Sequence, residues 1–109
     1  MTRYQLVFFV PEDHCEAVKA AVLSAGGGSI GDYDGCCWQV LGQGQFRPGQ
    51  AASPFIGKVG EVEKLAEYRV ELRVCSTRIR VVLQALVLTH PYETPAYYVT
   101  EIIDPKVLL

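Results

Sequence analysis

Apolar and polar positions along the chain switch between a period of two and a period near 3.6, and the switches predict six elements. Tyr4-Gln5-Leu6-Val7-Phe8-Phe9-Val10 is rich in β-formers and is closed by Pro11, which predicts a strand. Tyr4, Leu6, Phe8 and Val10 share one face. Val7 and Phe9 lie on the other and need cover too, from a central place in a sheet or from a second subunit. Cys15, Val18, Val22 and Ala25 then recur at helical spacing, with Ala21 alongside. Pro11 suits the start of this helix, Glu12, Asp13 and Glu16 suit the positive end of its dipole, and Gly26 supplies a left-handed cap. His14 falls in its polar first turn, as an exposed imidazole. Ser29 to Gly35 is a turn-rich link, and Cys36-Cys37-Trp38-Gln39-Val40-Leu41 reads as a second strand.

From Gly42 to Gly60 the chain is rich in glycine, proline and glutamine, which predicts a long loop pinned by Phe46, Phe55 and Ile56. Tyr68, Val70, Leu72 and Val74 then alternate with Glu67, Arg69, Glu71 and Arg73. This is a strand with one core face and one charged face. Ser76-Thr77 offers an N-cap for a helix over 78–89, with Ile79, Val82, Leu83 and Leu86 as its stripe. Val81, Val87 and Leu88 broaden that stripe. The helix stops at His90-Pro91, because a residue before proline resists the α region. Ala96 to Ile103 is the last strand, Asp104-Pro105 breaks it, and 104–109 is an apolar tail expected to dock on something. Strand, helix, strand, strand, helix, strand is satisfied by a ferredoxin-like α+β fold, βαββαβ. One four-stranded antiparallel sheet would carry both helices on one face.

The chain of 109 residues suits a single domain, and half of it is hydrophobic. Its formal net charge is −2, from 10 basic and 12 acidic residues without a basic block, which argues against a nucleic-acid partner. The first apolar stretch is too short to span a membrane or act as a signal peptide, so a cytoplasmic location and no membrane partner are expected. Cys15, Cys36, Cys37 and Cys75 have no paired metal-knuckle spacing, and reduced, partly buried thiols are the expectation.

The chemistry-bearing stretch is His90-Pro91-Tyr92-Glu93-Thr94-Pro95-Ala96-Tyr97, a corner stiffened by two prolines. His90 and Glu93 are weak candidates for metal ligands, since two ligands do not make a site. The reading preferred here is a hydrogen-bonded corner in which Glu93 accepts backbone N–H groups. Gly42, Gly44, Phe46 and Arg47, together with His90, Tyr92 and Glu93, are the candidate ligand-binding residues. The glycines lack the following helix or Lys-Ser/Thr pair of a phosphate loop. Cys36 or Cys75 could meet His90, but nothing local marks an activated thiolate. No catalytic residue and no cofactor are assigned.

Gly31-Asp32-Tyr33-Asp34, Gly42-x-Gly44-x-Phe46-x-Pro48, Pro54-x-Ile56-Gly57-x-x-Gly60, Glu67-x-Arg69-x-Glu71 and the 90–97 corner together resemble one module. It is the inserted domain of the NGG-interacting-factor-three-like proteins, also called GTP cyclohydrolase type 2 homologues. The resemblance covers roughly residues 3 to 102. It implies a fold like that of the PII and CutA proteins, which are usually trimeric, so a homotrimer is expected. The family's dinuclear metal site belongs to the flanking main domain, so the resemblance implies a stand-alone accessory module and not an enzyme. Two alternatives stand beside it. One is a PII/CutA-like sensor of a small molecule or divalent metal using the 42–60 loop and the His90/Glu93 corner. The other is a metal-dependent hydrolase.

Overall fold

In the computed structural model, which describes residues 2–109, the chain runs β1 (Arg3–Pro11), α1 (Cys15–Ser24), β2 (Trp38–Phe46), β3 (Glu63–Cys75), α2 (Ile79–Thr89) and β4 (Tyr97–Ile102). Short 3-10 turns lie at Glu12–His14 and Pro105–Leu108. The sheet has the order β2-β3-β1-β4, and every neighbouring pair is antiparallel. This is the ferredoxin-like arrangement expected from the periodicities.

Leu6, Phe8 and Val10 from β1 and Val70, Leu72 and Val74 from β3 line one face of the sheet. Cys15, Val18 and Val22 from α1 and Val82 and Leu86 from α2 close over them, and all eleven side chains are buried. Each contributes roughly 1.5–3 kcal/mol by leaving water. The register joins the two ends of the chain, since Arg3 of β1 faces Ile102 of β4.

α1 begins one turn later than expected. Pro11 is still the last residue of β1, and Glu12–His14 form a 3-10 turn before the α-helix starts. His14 is not fully exposed either, because its ring meets the edge of Phe55 at 5.3 Å. The far end of α1 follows expectation. Gly26 takes φ +113°, and the N–H groups of Gly26 and Gly27 donate to the Leu23 and Val22 carbonyls. This paired pattern satisfies carbonyls that the end of the helix would leave open.

β2 departs most from expectation. It starts at Trp38, so Cys36 and Cys37 precede it, and it continues through Gly42 and Gly44 to Phe46. The loop therefore begins at Arg47, not at Gly42. The reason is non-local: Gly42 and Gly44 oppose Glu67 and Leu65 of β3, and the Glu67 side chain lies over Gly44, where no β-carbon stands. Glycine inside a strand often marks such an approach.

One smaller expectation is corrected, and another is narrowed. Neither Ser76 nor Thr77 caps α2. Arg78 is the N-cap without a side-chain cap bond, and the Thr77 hydroxyl turns to the Cys75 sulfur at 3.4 Å. The tail does not dock on this chain, since Val107, Leu108 and Leu109 are all exposed. Among the described residues, no helix is long and apolar enough to cross a membrane.

Candidate functional site

His90 ends α2 in an extended conformation, ψ 133°, as a residue before proline should. The turn sends its ring inward, where it is buried with 6% of its surface exposed. The Tyr92 N–H donates to Nδ1 at 3.1 Å. Nε2, 2.7 Å from the Phe9 carbonyl, must then carry the proton and donate to it. The neighbours thus select one neutral tautomer. Burial is the main cause that holds the ring's pKa below its ordinary value, while the Phe9 carbonyl and the Glu67 charge oppose it. Both ring nitrogens are occupied by the backbone, so His90 serves as a strut of the corner and is not placed to ligate a metal.

Tyr92 carries the corner outward. Its hydroxyl donates to Glu67 at 2.9 Å, and its ring packs 6.0 Å from that of Phe46. Burial first, and then the Glu67 carboxylate, keep the phenol protonated far above its usual range. One residue on, the Glu93 carboxylate accepts the Ser53 N–H at 3.0 Å. That bond fastens the long loop to the corner, the kind of backbone contact expected of Glu93.

Between these parts lies a cleft of about 360 Å³. Phe46 and Arg47 border it from the end of β2, Pro54 and Phe55 from the loop, and Tyr92 and Glu93 from the corner. Four of the seven candidate residues, Phe46, Arg47, Tyr92 and Glu93, thus meet in one space. Gly42 and Gly44 lie in β2, and His90 sits behind the wall. Phe9 and Glu67 also line the cleft and were not among the candidates. Their signals are weak in isolation, because each reads as one more position in an alternating strand.

The cysteines take no part in the cleft. Cys15 is buried in the core, and burial pushes its thiol up in pKa. Cys36 turns to the Asp34 carbonyl at 3.6 Å, and Cys37 is exposed. Neither Cys36 nor Cys75 is seen paired with His90, whose ring nitrogens face backbone. Among the described residues, no group of three or more His, Cys, Asp and Glu side chains could hold a metal ion.

No family model matches the chain. Individual relatives do. The chain is 50% identical over 102 residues to a protein of Mycobacterium tuberculosis named GTP cyclohydrolase 1 type 2 homolog, covering 93% of this chain and 27% of that one. Among solved structures, a Bacillus cereus protein described as related to NIF3 superposes with a TM-score of 0.81 at 34% identity, over 94% of this chain and 26% of its own. CutA1 from a psychrotrophic Shewanella superposes with a TM-score of 0.67 at 15% identity, over 97% and 89% of the two chains. At that identity the likeness is one of fold. The chain spans about a quarter of the length of the curated relatives it matches. It is therefore the counterpart of one segment of the GTP cyclohydrolase 1 type 2 homologues, the NIF3-related proteins, folded as a PII/CutA-like domain.

Proposed function

We propose that this domain assembles with copies of itself, as a trimer, and serves a binding or regulatory role with no reaction of its own. The observation that carries this reading is the back of the sheet, the face away from the helices. Trp38 and Val40 on β2 and Tyr98 on β4 stand there 58%, 43% and 62% exposed. These strands are also the two outer ones of the sheet. Large exposed aromatic side chains are typical of protein interfaces, and Trp38 and Tyr98 stand in one row across this face, at its two edges, with Glu71 and Val7 between them. The number three comes from the PII and CutA resemblance. A cytoplasmic home suits the exposed thiol of Cys37, which a reducing compartment would preserve. Native mass spectrometry and light scattering at micromolar concentration test the assembly. A trimer is the expected result, and monomer alone would reject it. Turnover of any substrate by metal-free protein would reject the assignment of no reaction.

A second reading, a PII/CutA-like sensor of a small molecule or divalent metal, is favoured by the cleft itself. It joins the loop, the end of β2 and the 92–93 corner in one space. A ligand present at about 100 times its dissociation constant should stabilise the fold by roughly 2.7 kcal/mol. A thermal-shift screen over nucleotides and divalent metals reads this out. An unchanged melting point with all of them would leave the first reading alone.

A further inference from the structure

We propose that the cleft between the 47–56 loop and the 92–96 corner binds a small organic cation, an ammonium or guanidinium compound with an apolar body. This deepens the second reading above and rests on its placing a small ligand in this cleft. Aromatic rings form much of the wall, with Phe9, Phe46 and Tyr92 all bordering the space. The face of such a ring is electronegative and attracts cations. Phe9 already shows the property, since the Arg69 guanidinium carbon stands 5.8 Å from its ring centroid.

Two carboxylates, Glu67 and Glu93, border the same space. Each has one oxygen committed, to the Tyr92 hydroxyl and to the Ser53 N–H respectively. Those bonds fix where the carboxylates sit and leave their negative charge in place. The charges of Asp13 and Glu63 act on Tyr92 in the same sense as that of Glu67. Arg47 is the cation among the described lining residues, and it is exposed. Among the lining residues one guanidinium stands against two carboxylates, and the nearby Arg69 is already paired with Glu71 at 3.0 Å, so the balance at the cleft is negative. Pro54 and Ile56 supply apolar surface for the body of the ligand. A volume of about 360 Å³ falls at the small end of ligand pockets, which run from about 300 to 1,000 Å³. Among the described lining residues a bare divalent ion meets no third carboxylate and no histidine or cysteine, and a phosphate would face two carboxylates.

Isothermal titration calorimetry with phenethylammonium tests the proposal. Neutral 2-phenylethanol and anionic phenylacetate serve as matched controls, with AMP and zinc alongside. Phenethylammonium should bind at least about tenfold more tightly than either matched control. Glu93→Gln keeps an acceptor for the Ser53 N–H but removes the charge, and Phe46→Leu keeps apolar bulk but removes the ring. Each should weaken binding about fivefold. Equal binding of 2-phenylethanol, or unchanged affinity in both variants, overturns the proposal. Preference for AMP or zinc overturns it while leaving the sensor reading standing, and no binding by any compound overturns both.

Discussion

His90 links acidity to stability through geometry. Protonation would place a second ring N–H at Nδ1, facing the Tyr92 N–H that now donates to it. The folded pKa lies below the ordinary value of 6.5, chiefly because the ring is buried. As the pH falls, the unfolded chain therefore takes up this proton first, and the folded state loses ground. The His90 contribution should be complete above about pH 6.5 and shrink as the pH drops from there toward the folded pKa. Urea unfolding at pH 8, 6.5 and 5 should show the decline, and His90→Gln should flatten it over that range. Gly44 carries a second prediction. A β-carbon there would run into the Glu67 carboxylate. Gly44→Ala should displace that carboxylate from Tyr92 and cost about 1.5–3 kcal/mol, the scale of a hydrogen bond to a charged group. Tyr92→Phe removes the same bond, so a double-mutant cycle should be strongly non-additive. Simple addition of the two costs would mean that the bond survives in the Gly44→Ala variant. The two prolines announce the corner, and His90 is visible in the sequence as its pivot. Glu67 is not, because its meeting with Gly44 and Tyr92 depends on how β2 and the corner settle against β3.

At the scale of elements, the helices and central strands follow from periodicity, since Leu6, Phe8, Val70, Leu72, Val82 and Leu86 all reach the core. The ends of elements follow less well. β2 runs on through glycines that local propensity assigns to a loop, because β3 offers a ladder along its whole length. The start of α2 is secured from outside the helix. Arg78 donates from Nε and Nη2 to the Ala25 carbonyl at 3.1 and 2.7 Å, reaching the C-terminal end of α1. A cation there meets both an open carbonyl and the negative end of the helix dipole. No pattern around Ser76-Thr77 announces this contact, which spans 53 positions. Arg78→Ala should cost about 1 kcal/mol in chemical denaturation, and Arg78→Lys should recover part of it. An unchanged midpoint in Arg78→Ala would mean that solvent serves the carbonyl equally well.

The whole molecule is long for its size, 50 × 24 × 23 Å with a radius of gyration of 15.3 Å. A compact chain of this length would come to about 13 Å. The excess comes with a β2–β3 ribbon that outruns the rest of the sheet. β1 stops pairing with β3 at Glu67, whereas β2 stays with it back to Glu63. A two-stranded ribbon is marginal alone, so the proposed assembly would stabilise it by covering it. If the domain assembles as proposed, Trp38→Glu should shift it toward monomer in sedimentation equilibrium while the circular dichroism spectrum stays unchanged. Persistent trimer in that variant would move the interface off the back of the sheet.

The facing of Arg3 and Ile102 has a consequence for how the fold can be rewired. The first and last strands are neighbours and leave the sheet side by side, so the path of the backbone is almost a closed circuit. A circular permutant with the tail after Asp104 replaced by a short Gly/Ser linker, and with new ends between Gln50 and Ala51, leaves every pair of strands in register. It should unfold in one cooperative step near the parent midpoint. The order in which the elements are made would then be separable from the order in which they pack.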